Sequence, residues 1–247
     1  MPTNTKFRSV VGLVGLTAVS AAGGFLAARL PAVMDPQVRV AAQDRTHEYV
    51  NTWAGVRVLQ FPNDLVTYQE VITEQEPDWI VETGTNAGGL TLYLSTVLQA
   101  VKPEARILTV DIDRTGWDYT VATLRNPNAR KLLDRVEFIE GGSTAPEVTN
   151  RVRQRVGTGS KVLVILDSLH ERDHVIAEMT AYGELVHPGG YMVVTDTHLD
   201  AVWGQVGPRA ALDAFLPGHP EFVPDRSRDR FMVSANLGGW LRKAGPR

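Results

Sequence analysis

The segment IVETGTNAGGL, residues 80–90, decides how the rest of the chain is interpreted. A short apolar run leads into Glu82 and then into a turn that contains Gly84, Gly88 and Gly89. The next residues, LTLYL, begin an amphipathic helical pattern. Glycines let a backbone pass close to a ligand, and the start of a helix offers free N–H groups. The pattern therefore predicts a strand, a glycine-rich turn and a helix. It slightly favours a nucleotide-type binding loop over a purely structural connection.

Length and composition set the frame for this motif. The chain has 247 residues, of which 43% are hydrophobic and 21% are charged, as expected for one α/β domain with an N-terminal extension. A formal net charge of -3, with both signs spread along the chain, gives no reason to expect nucleic-acid binding. The absence of cysteine excludes disulfides, thiolate catalysis and cysteine metal ligands.

The N-terminus has a different composition. Val10–Ala28 contains no charged residue; Lys6 and Arg8 precede it and Arg29 follows it. Its length is close to that of a membrane span, but it is rich in Gly, Ala, Ser and Thr. It is therefore interpreted as a membrane anchor, a signal peptide or a leader that serves as neither. We divide the chain into a leader or anchor (1–30), an N-terminal arm (31–60) and a catalytic domain (61–247).

The remaining pattern predicts an α/β fold. The arm is expected to be partly helical, with an extended piece near 56–59, and Asp64 is expected to cap the helix that follows it. After the glycine turn, helical stretches alternate with apolar runs at 106–111, 135–140, 161–167 and 191–196. This alternation predicts a parallel sheet with helices on both faces. Two final strands, at 221–223 and 230–234, are separated by only a short turn and are expected to pair antiparallel.

Polar residues follow the predicted strands. The strand ends carry Glu82, Asp111, the run Gly141-Gly142-Ser143, Asp167 and Asp196. Ligands of open parallel sheets bind beyond these carboxyl ends, so the sequence predicts a site there. Asp111 is placed to accept hydrogen bonds from a ribose diol. The first turn lacks the G-x-G-x-x-G spacing for a pyrophosphate, which favours an adenosyl ligand without a diphosphate.

Two of these acids suggest a metal site. Asp167 and Asp196 end neighbouring strands, and carboxylates are suitable ligands for a hard cation such as Mg²⁺. His170 lies three residues after Asp167 and can serve the same pocket as a general base. Alternatively, His170 only starts the next helix, as His174 and His187 can do on a solvated surface.

Five segments together resemble a known family. They are ETGTNAGG, DID at 111–113, IEGGST at 139–144, VLVILDSLH at 162–170 and LVHPGGYMVVTDT at 185–197. Their order is similar to that in the cephalosporin hydroxylase family, over about residues 53–242. Its members are class I S-adenosylmethionine (SAM)-dependent O-methyltransferases, related to rhamnosyl and macrolide-sugar O-methyltransferases. The resemblance implies a Rossmann-like sheet of seven strands, mostly parallel, with the last antiparallel.

The resemblance also assigns site residues. Around the methionine part and sulfonium of SAM it places Glu82, Gly84, Thr85 and Asn86. It places Asp111 on the ribose and Ser143 near the adenine. It makes His170 the catalytic base, and Asp167 and Asp196 ligands of Mg²⁺. Thr195 stands where the family pattern has a glutamate ligand, and a neutral hydroxyl is a poorer ligand than a carboxylate.

These observations lead to an interpretation with alternatives. The main one is a Mg²⁺-assisted O-methyltransferase acting on a hydroxyl of a glycosyl, lipid-linked or natural-product acceptor. The replacement by Thr195 motivates a SAM-binding protein without catalysis. An oxygenase, with Asp167, His170 and His198 as iron ligands, is the third alternative. A nicotinamide dehydrogenase is disfavoured by the first turn.

Location and assembly follow from the main interpretation. SAM is a cytosolic metabolite, so the enzyme is expected in the cytoplasm, with residues 10–28 available to tether it to the inner face of the membrane. The resemblance also implies a homo-oligomer. The acceptor pocket is expected to come from the arm and from residues 197–208.

Overall fold

A computed structural model describes residues 51–204 and 206–245 of the protein. The predicted leader and residues 31–50 of the arm lie outside these ranges. Among the helices of the described residues, none combines the length and the apolar character needed to cross a membrane.

The described chain alternates strands and helices. The strands are β1 (Asn51–Trp53), β2 (Val56–Val58), β3 (Trp79–Thr83), β4 (Arg106–Asp111), β5 (Val136–Glu140), β6 (Val162–Leu166), β7 (Tyr191–Val194), β8 (Phe222–Pro224) and β9 (Trp240–Lys243). The helices are α1 (Pro62–Gln75), α2 (Gly89–Val101), α3 (Thr115–Thr123), α4 (Pro127–Lys131), α5 (Pro146–Val156), α6 (Arg172–Gly183), α7 (Leu199–Trp203) and α8 (Pro208–Phe215). Short 3₁₀ turns occupy Leu132–Arg135, Leu216–Gly218 and Arg226–Arg228.

Seven strands form one sheet in the order β5-β4-β3-β6-β7-β9-β8. The strands from β3 to β7 pair in parallel, whereas β9 runs antiparallel to both of its neighbours. The predicted class is therefore confirmed: a mostly parallel Rossmann-like sheet whose last strand is antiparallel. The strand order reverses at β3 and β6, which is the switch point where ligands of such sheets bind.

Helices cover both faces of the sheet, and successive strand residues point to opposite faces. Ile80 packs on one face with residues of α1 and α2, such as Tyr68 and Leu94. Val81, the next residue, packs on the other face with residues of α5, α6 and α8, including Met179. Burial on both sides explains why the strands read as continuous apolar runs rather than as alternating ones.

The prediction that Asp64 caps the first helix was wrong. Helix α1 begins at Pro62, whose fixed φ and missing N–H suit the first turn of a helix. Asp64 lies within that turn and is buried, and its carboxylate accepts hydrogen bonds from Ser234 Oγ at 2.6 Å and from Ala235 N at 2.8 Å. Its role is thus a long-range connection between α1 and the C-terminal segment.

The position predicted for the last strand was also wrong, although its antiparallel direction was correct. The strand is Trp240–Lys243 rather than 230–234. The backbone of 233–235 is held by side chains of α1 instead of by a neighbouring strand. Asn63 Nδ2 donates to Val233 O, and the Asp64 carboxylate accepts from Ala235 N.

The described end of the arm is a β-hairpin rather than a helix. Strands β1 and β2 pair antiparallel across the turn at Ala54 and Gly55, which confirms the extended piece predicted near 56–59. The hairpin lies against the start of α2, where a Cβ on Gly89 would be 1.9 Å from Arg57 O. Glycine at 89 therefore lets the hairpin pack closely against the start of α2, and Arg57, Leu59 and Gln60 line the cavity at the strand ends.

Candidate active site

A cavity of about 700 Å³ opens at the carboxyl ends of the central strands. Its size is in the range typical of small-molecule and cofactor sites. The lining residues include Gly84, Thr85, Asn86, Asp111, Ser143 and Asp167. His170 and Asp196 line it as well. The structure thus brings most of the predicted site residues to one cavity.

The glycines of the first turn serve packing within the protein. Gly84 has φ of +84°, and a Cβ there would lie 1.9 Å from the carbonyl oxygen of Asp167. Gly88, with φ of +79°, leaves room for the ring of Trp117, and Gly89 leaves room for the hairpin. At each position any side chain would collide with another element. The glycines thus allow the elements around the cavity to pack closely. This close packing is a structural reason for the glycine pattern, which is also typical of ligand-binding loops.

Glu82 lies beneath the turn, where it is 1% exposed. Its Oε2 accepts hydrogen bonds from Thr91 at 2.5 Å and from Thr109 at 2.7 Å. Thr109 in turn contacts Thr85 Oγ1 at 2.6 Å. Burial raises the pKa of Glu82 to about 8 despite the two hydroxyl donors. Glu82 therefore supports the loop from below through Thr109 and Thr85.

Asp111 holds the turn from the side of β4. Its Oδ2 accepts a hydrogen bond from Asn86 N at 2.8 Å, and its Oδ1 accepts one from Asp113 N at 3.1 Å. Asn86 has φ of +51°, a left-handed conformation that asparagine tolerates better than most residues. The Asp111 carboxylate lines the cavity, and each of its oxygens has a further lone pair that can accept a hydrogen bond from a ribose hydroxyl.

Asp167 lines the cavity at the end of β6. Its Oδ1 accepts a hydrogen bond from Thr195 Oγ1 at 2.5 Å, and its Oδ2 accepts one from Gln60 Nε2 at 3.1 Å. Burial first, and then the nearby Asp196 carboxylate, raise the pKa of Asp167 to about 8. Two carboxylates held this close repel each other, so the arrangement favours a proton or a cation at this end of the cavity.

His170 and Asp196 complete that end of the cavity. His170 Nε2 lies 3.3 Å from Asp196 Oδ2, and the buried His198 places Nδ1 3.7 Å from Asp196 Oδ1. Asp196 has φ of +53° in the turn after β7. One ligand atom each of Asp167, His170 and Asp196 lies within 4.8 Å of the others. The geometry is therefore that of an imidazole beside two carboxylates.

Thr195 is placed differently from these cavity residues. It is 1% exposed, and its one hydroxyl proton is shared between two acceptors, Asp167 Oδ1 at 2.5 Å and Leu166 O at 3.0 Å. The hydroxyl thus orients the Asp167 carboxylate. The assignment of Thr195 as a metal ligand stays a prediction.

Two cavity residues were missed by the sequence analysis. Gln60, at the end of the hairpin segment, is 1% exposed and reaches Asp167, and its Oε1 accepts no hydrogen bond from the described residues. His174 lines the cavity beside Ser143, with Nε2 3.1 Å from Ser143 Oγ. It is not a surface histidine, because its side chain is only 22% exposed. The spacing of His174 and Glu178, one turn apart on a helix, was a signal for it; Gln60 had none.

Comparisons with known proteins identify relatives that match most of the chain. The sequence model of the family described as rhamnosyl O-methyltransferase/CmcI matches residues 45–244. The rhamnosyl O-methyltransferase of Mycobacterium leprae is 31% identical over 201 residues, which cover 78% of this chain and 83% of the relative. The protein of the same name from Mycobacterium tuberculosis H37Rv is 30% identical over 196 residues, covering 76% and 74% of the two chains.

Solved structures share the fold at lower identity. The Mg–SAM complex of CmcI superposes with a TM-score of 0.61 at 18% identity, covering 79% of this chain and 77% of CmcI. The O-methyltransferase TomG from Streptomyces achromogenes, solved with SAM, gives a TM-score of 0.56 at 14% identity, covering 86% and 90%.

Proposed function

The chain belongs to the rhamnosyl O-methyltransferase/CmcI family and is a SAM-dependent O-methyltransferase; we propose that its acceptor is a hydroxyl of a sugar-containing molecule. The proposal rests on a single cavity that holds donor-binding candidates at one end and an imidazole with two carboxylates at the other. Asn86 and Asp111 at one end suit the donor, and Asp167, His170 and Asp196 at the other suit a hydroxyl. The sugar is favoured because relatives that cover most of the chain are rhamnosyl O-methyltransferases.

We assign the donor to the glycine-turn side of the cavity. Asp111 would accept the ribose hydroxyls, and Ser143 would contact the adenine. Gly84, Thr85 and Asn86 would surround the methionine part and the sulfonium. Glu82 would hold the loop that carries these residues in place, through its hydrogen bond to Thr109 and the contact of Thr109 with Thr85. The support is that these residues occupy adjacent strand ends, where the loop is already held by side chains.

We assign the proton transfer to His170. A sugar hydroxyl is a weak nucleophile at neutral pH, so its attack on the methyl group requires a base. The acceptor oxygen forms the new bond to the methyl carbon while the bond from sulfur to that carbon breaks, leaving S-adenosylhomocysteine (SAH). The hydroxyl proton goes to His170. The nearby Asp196 carboxylate stabilises the resulting imidazolium.

The residues at this end also fit a Mg²⁺ ion. Asp167 and Asp196 supply hard oxygen ligands, and a cation between them would relieve the repulsion that contributes to the raised pKa of Asp167. The predicted third ligand is Thr195. When bound, Mg²⁺ would lower the pKa of the acceptor hydroxyl and orient it.

The acceptor and the leader are connected in this proposal. A lipid-linked glycosyl acceptor would lie at a membrane, where residues 10–28 would tether the enzyme with its catalytic domain in the cytoplasm. Fractionation tests this: the full chain should sediment with membranes, and a chain lacking residues 10–28 should not. Equal distribution of the two chains would reject the tether.

The function itself is tested with the donor and a panel of acceptors. Calorimetric titration with SAM should show binding by the wild type, at least tenfold weaker binding by Asp111→Ala, and no change in the exposed control Asp118→Ala. Methyl transfer should then be detected on methyl α-L-rhamnopyranoside or on other methyl glycosides, with and without Mg²⁺. Binding without transfer to any glycoside would reject the sugar acceptor, and no binding would reject the donor site.

A further inference from the structure

Helix α6 presents a row of polar side chains to the donor side of the cavity. His174, Glu178 and Tyr182 are spaced four residues apart, so they lie above one another on one helix face. Glu178 and Tyr182 are each 1% exposed. Polar groups buried this completely must be satisfied by partners, and their partners are in the loops that follow β5 and β6.

The row converges on two serines. Ser143 is held twice: its carbonyl oxygen accepts from Tyr182 OH at 2.6 Å, and its Oγ lies 3.1 Å from His174 Nε2. Ser168 Oγ lies at the same distance from His174 Nε2 and donates to Glu178 Oε1 at 2.7 Å. Ser143, Ser168 and His174 all line the cavity, whereas Glu178 lies behind them.

The directions of these hydrogen bonds follow from the donors available. Ser168 Oγ donates to Glu178 Oε1, so the one hydroxyl proton of Ser168 is committed to that carboxyl group. Ser168 can then only accept from His174, which requires a proton on Nε2. Glu178 Oε1, 3.6 Å from that nitrogen, favours the same state and raises the pKa of His174. Both the imidazolium and the neutral tautomer with hydrogen on Nε2 meet the requirement.

A protonated Nε2 determines what Ser143 does. That nitrogen has no lone pair to offer, so its one proton is shared between Ser168 Oγ and Ser143 Oγ, each 3.1 Å away, and Ser143 keeps its own proton for another partner. The partner must lie in the cavity or in its wall, because Ser143 is a cavity residue whose side chain is otherwise enclosed. The ring nitrogens of adenine are acceptors that match this donor.

We propose that His174 and Glu178 are positioning residues for the donor's base: they hold the Ser143 hydroxyl so that its proton is donated to a ring nitrogen of adenine. The inference rests on the donor site proposed above and adds two residues to it. Neither residue touches the reacting atoms. Their effect is on recognition of the adenosyl group, through Ser143.

The test uses SAH and three analogues, each with one adenine ring nitrogen replaced by carbon: 1-deaza-, 3-deaza- and 7-deaza-SAH. Calorimetry on the wild type should show one analogue binding about tenfold more weakly than SAH, as expected for one lost hydrogen bond. In Ser143→Ala that penalty should fall to near onefold. It should also fall in Glu178→Gln and in His174→Leu, where the Ser143 proton is no longer directed at the ligand.

Two variants separate positioning from a general loss of structure. His174→Gln places an amide donor near the former Nε2 and should keep most of the penalty, whereas His174→Leu should not. Asp173→Asn, an exposed change on the same helix, should behave as wild type. ¹⁵N spectra of the histidines, with His174 assigned from its variants, should show hydrogen on Nε2 in the wild type and a loss of this state in Glu178→Gln.

The outcomes are distinct. Wild-type protein that binds SAH but discriminates against none of the analogues would overturn the inference and leave the donor site standing. The same would follow from a penalty of unchanged size in Glu178→Gln and His174→Leu. Failure of the wild type to bind SAH would overturn the proposed donor site and this inference together.

Discussion

Asp167 connects the elements that form the proposed acceptor end of the cavity. It receives a hydrogen bond from Thr195, on the neighbouring strand end, and another from Gln60, on the hairpin segment. Burial and Asp196 favour the neutral carboxyl group, whereas His170 and these two donors favour the ionised one. The balance leaves its pKa at about 8, so its ionisation is sensitive to the loss of either donor.

Replacement of His170 should affect catalysis and spare donor binding. His170→Asn removes the proposed base, for which a loss of about 10²- to 10⁴-fold in kcat is typical. The Kd for SAM should change by less than about twofold, because the donor residues are untouched. Methyl-transfer assays and calorimetry measure the two quantities, and His219→Asn, which follows the 3₁₀ turn Leu216–Gly218 and does not line the cavity, serves as the control. An unchanged kcat would exclude His170 as the base.

Replacement of Gln60 should move the pH dependence of the reaction. Gln60→Met keeps the side-chain length but removes the hydrogen bond that lowers the pKa of Asp167, so that pKa should rise above about 8. If the ionised carboxylate is the active form, activity increases with pH through this pKa, and the rising limb should move to higher pH. Rates on a methyl glycoside from pH 6 to 10 report the shift. Gln69→Met, an exposed change on α1, should leave the limb in place.

At the scale of elements, loops and strands differ in how directly the sequence specified them. The central strands were predicted within one or two residues because burial on both faces makes them continuous apolar runs. Strand β9 was misplaced because the apolar residues near 231–233 resemble a strand. Their backbone is in fact fixed by Asn63 and Asp64, about 170 residues earlier, and such a long-range contact leaves no local pattern.

The first turn provides a test of close packing between elements. Gly84→Ala places a methyl group 1.9 Å from the Asp167 carbonyl oxygen and also strains a positive φ. Gly157→Ala strains a similar φ of +73° but meets no atom within 4 Å. The control should cost about 1 kcal/mol of unfolding free energy, and Gly84→Ala should cost at least twice as much. Urea denaturation measures both, and equal losses would show that the contact can relax.

At the scale of the whole molecule, buried acids make stability depend on pH. Burial raises the pKa of Asp64 to about 7, and those of Glu82 and Asp167 to about 8. The folded state therefore keeps protons that the unfolded chain loses near pH 4. Stability from these groups is fully present below that pH and is lost as the pH rises through 7 and 8.

Glu82→Gln should make this pH dependence shallower. Its contribution extends from about pH 4.5 to about 8 and is on the order of a few kcal/mol. Unfolding free energies from urea titrations at pH 5, 6.5 and 8 should fall less in the variant than in the wild type. The exposed change Glu104→Gln should leave the wild-type slope unaltered. A variant slope as steep as the wild-type slope would mean that Glu82 is ionised in the folded protein.

The candidate site could be predicted in part. The strand-end residues, Ser143 among them, were found because parallel topology gathers carboxyl ends at one edge, and the spacing of His170 from Asp167 suggested a base. The family resemblance added which part of SAM each donor-side residue would contact. Gln60 could not be found, because its position depends on a hairpin that docks across Gly89. His174 was identified only as a surface candidate, since its partner Ser143 belongs to a different element.

The bond between Gln60 and Asp167 also has a consequence for how the protein is made. The two residues are 107 positions apart, so a ribosome adds the second roughly 5 to 20 s after the first. The hairpin segment is therefore synthesised before its anchor exists. The wall of the catalytic cavity is thus begun early in translation and closed only once β6 and Asp167 have emerged.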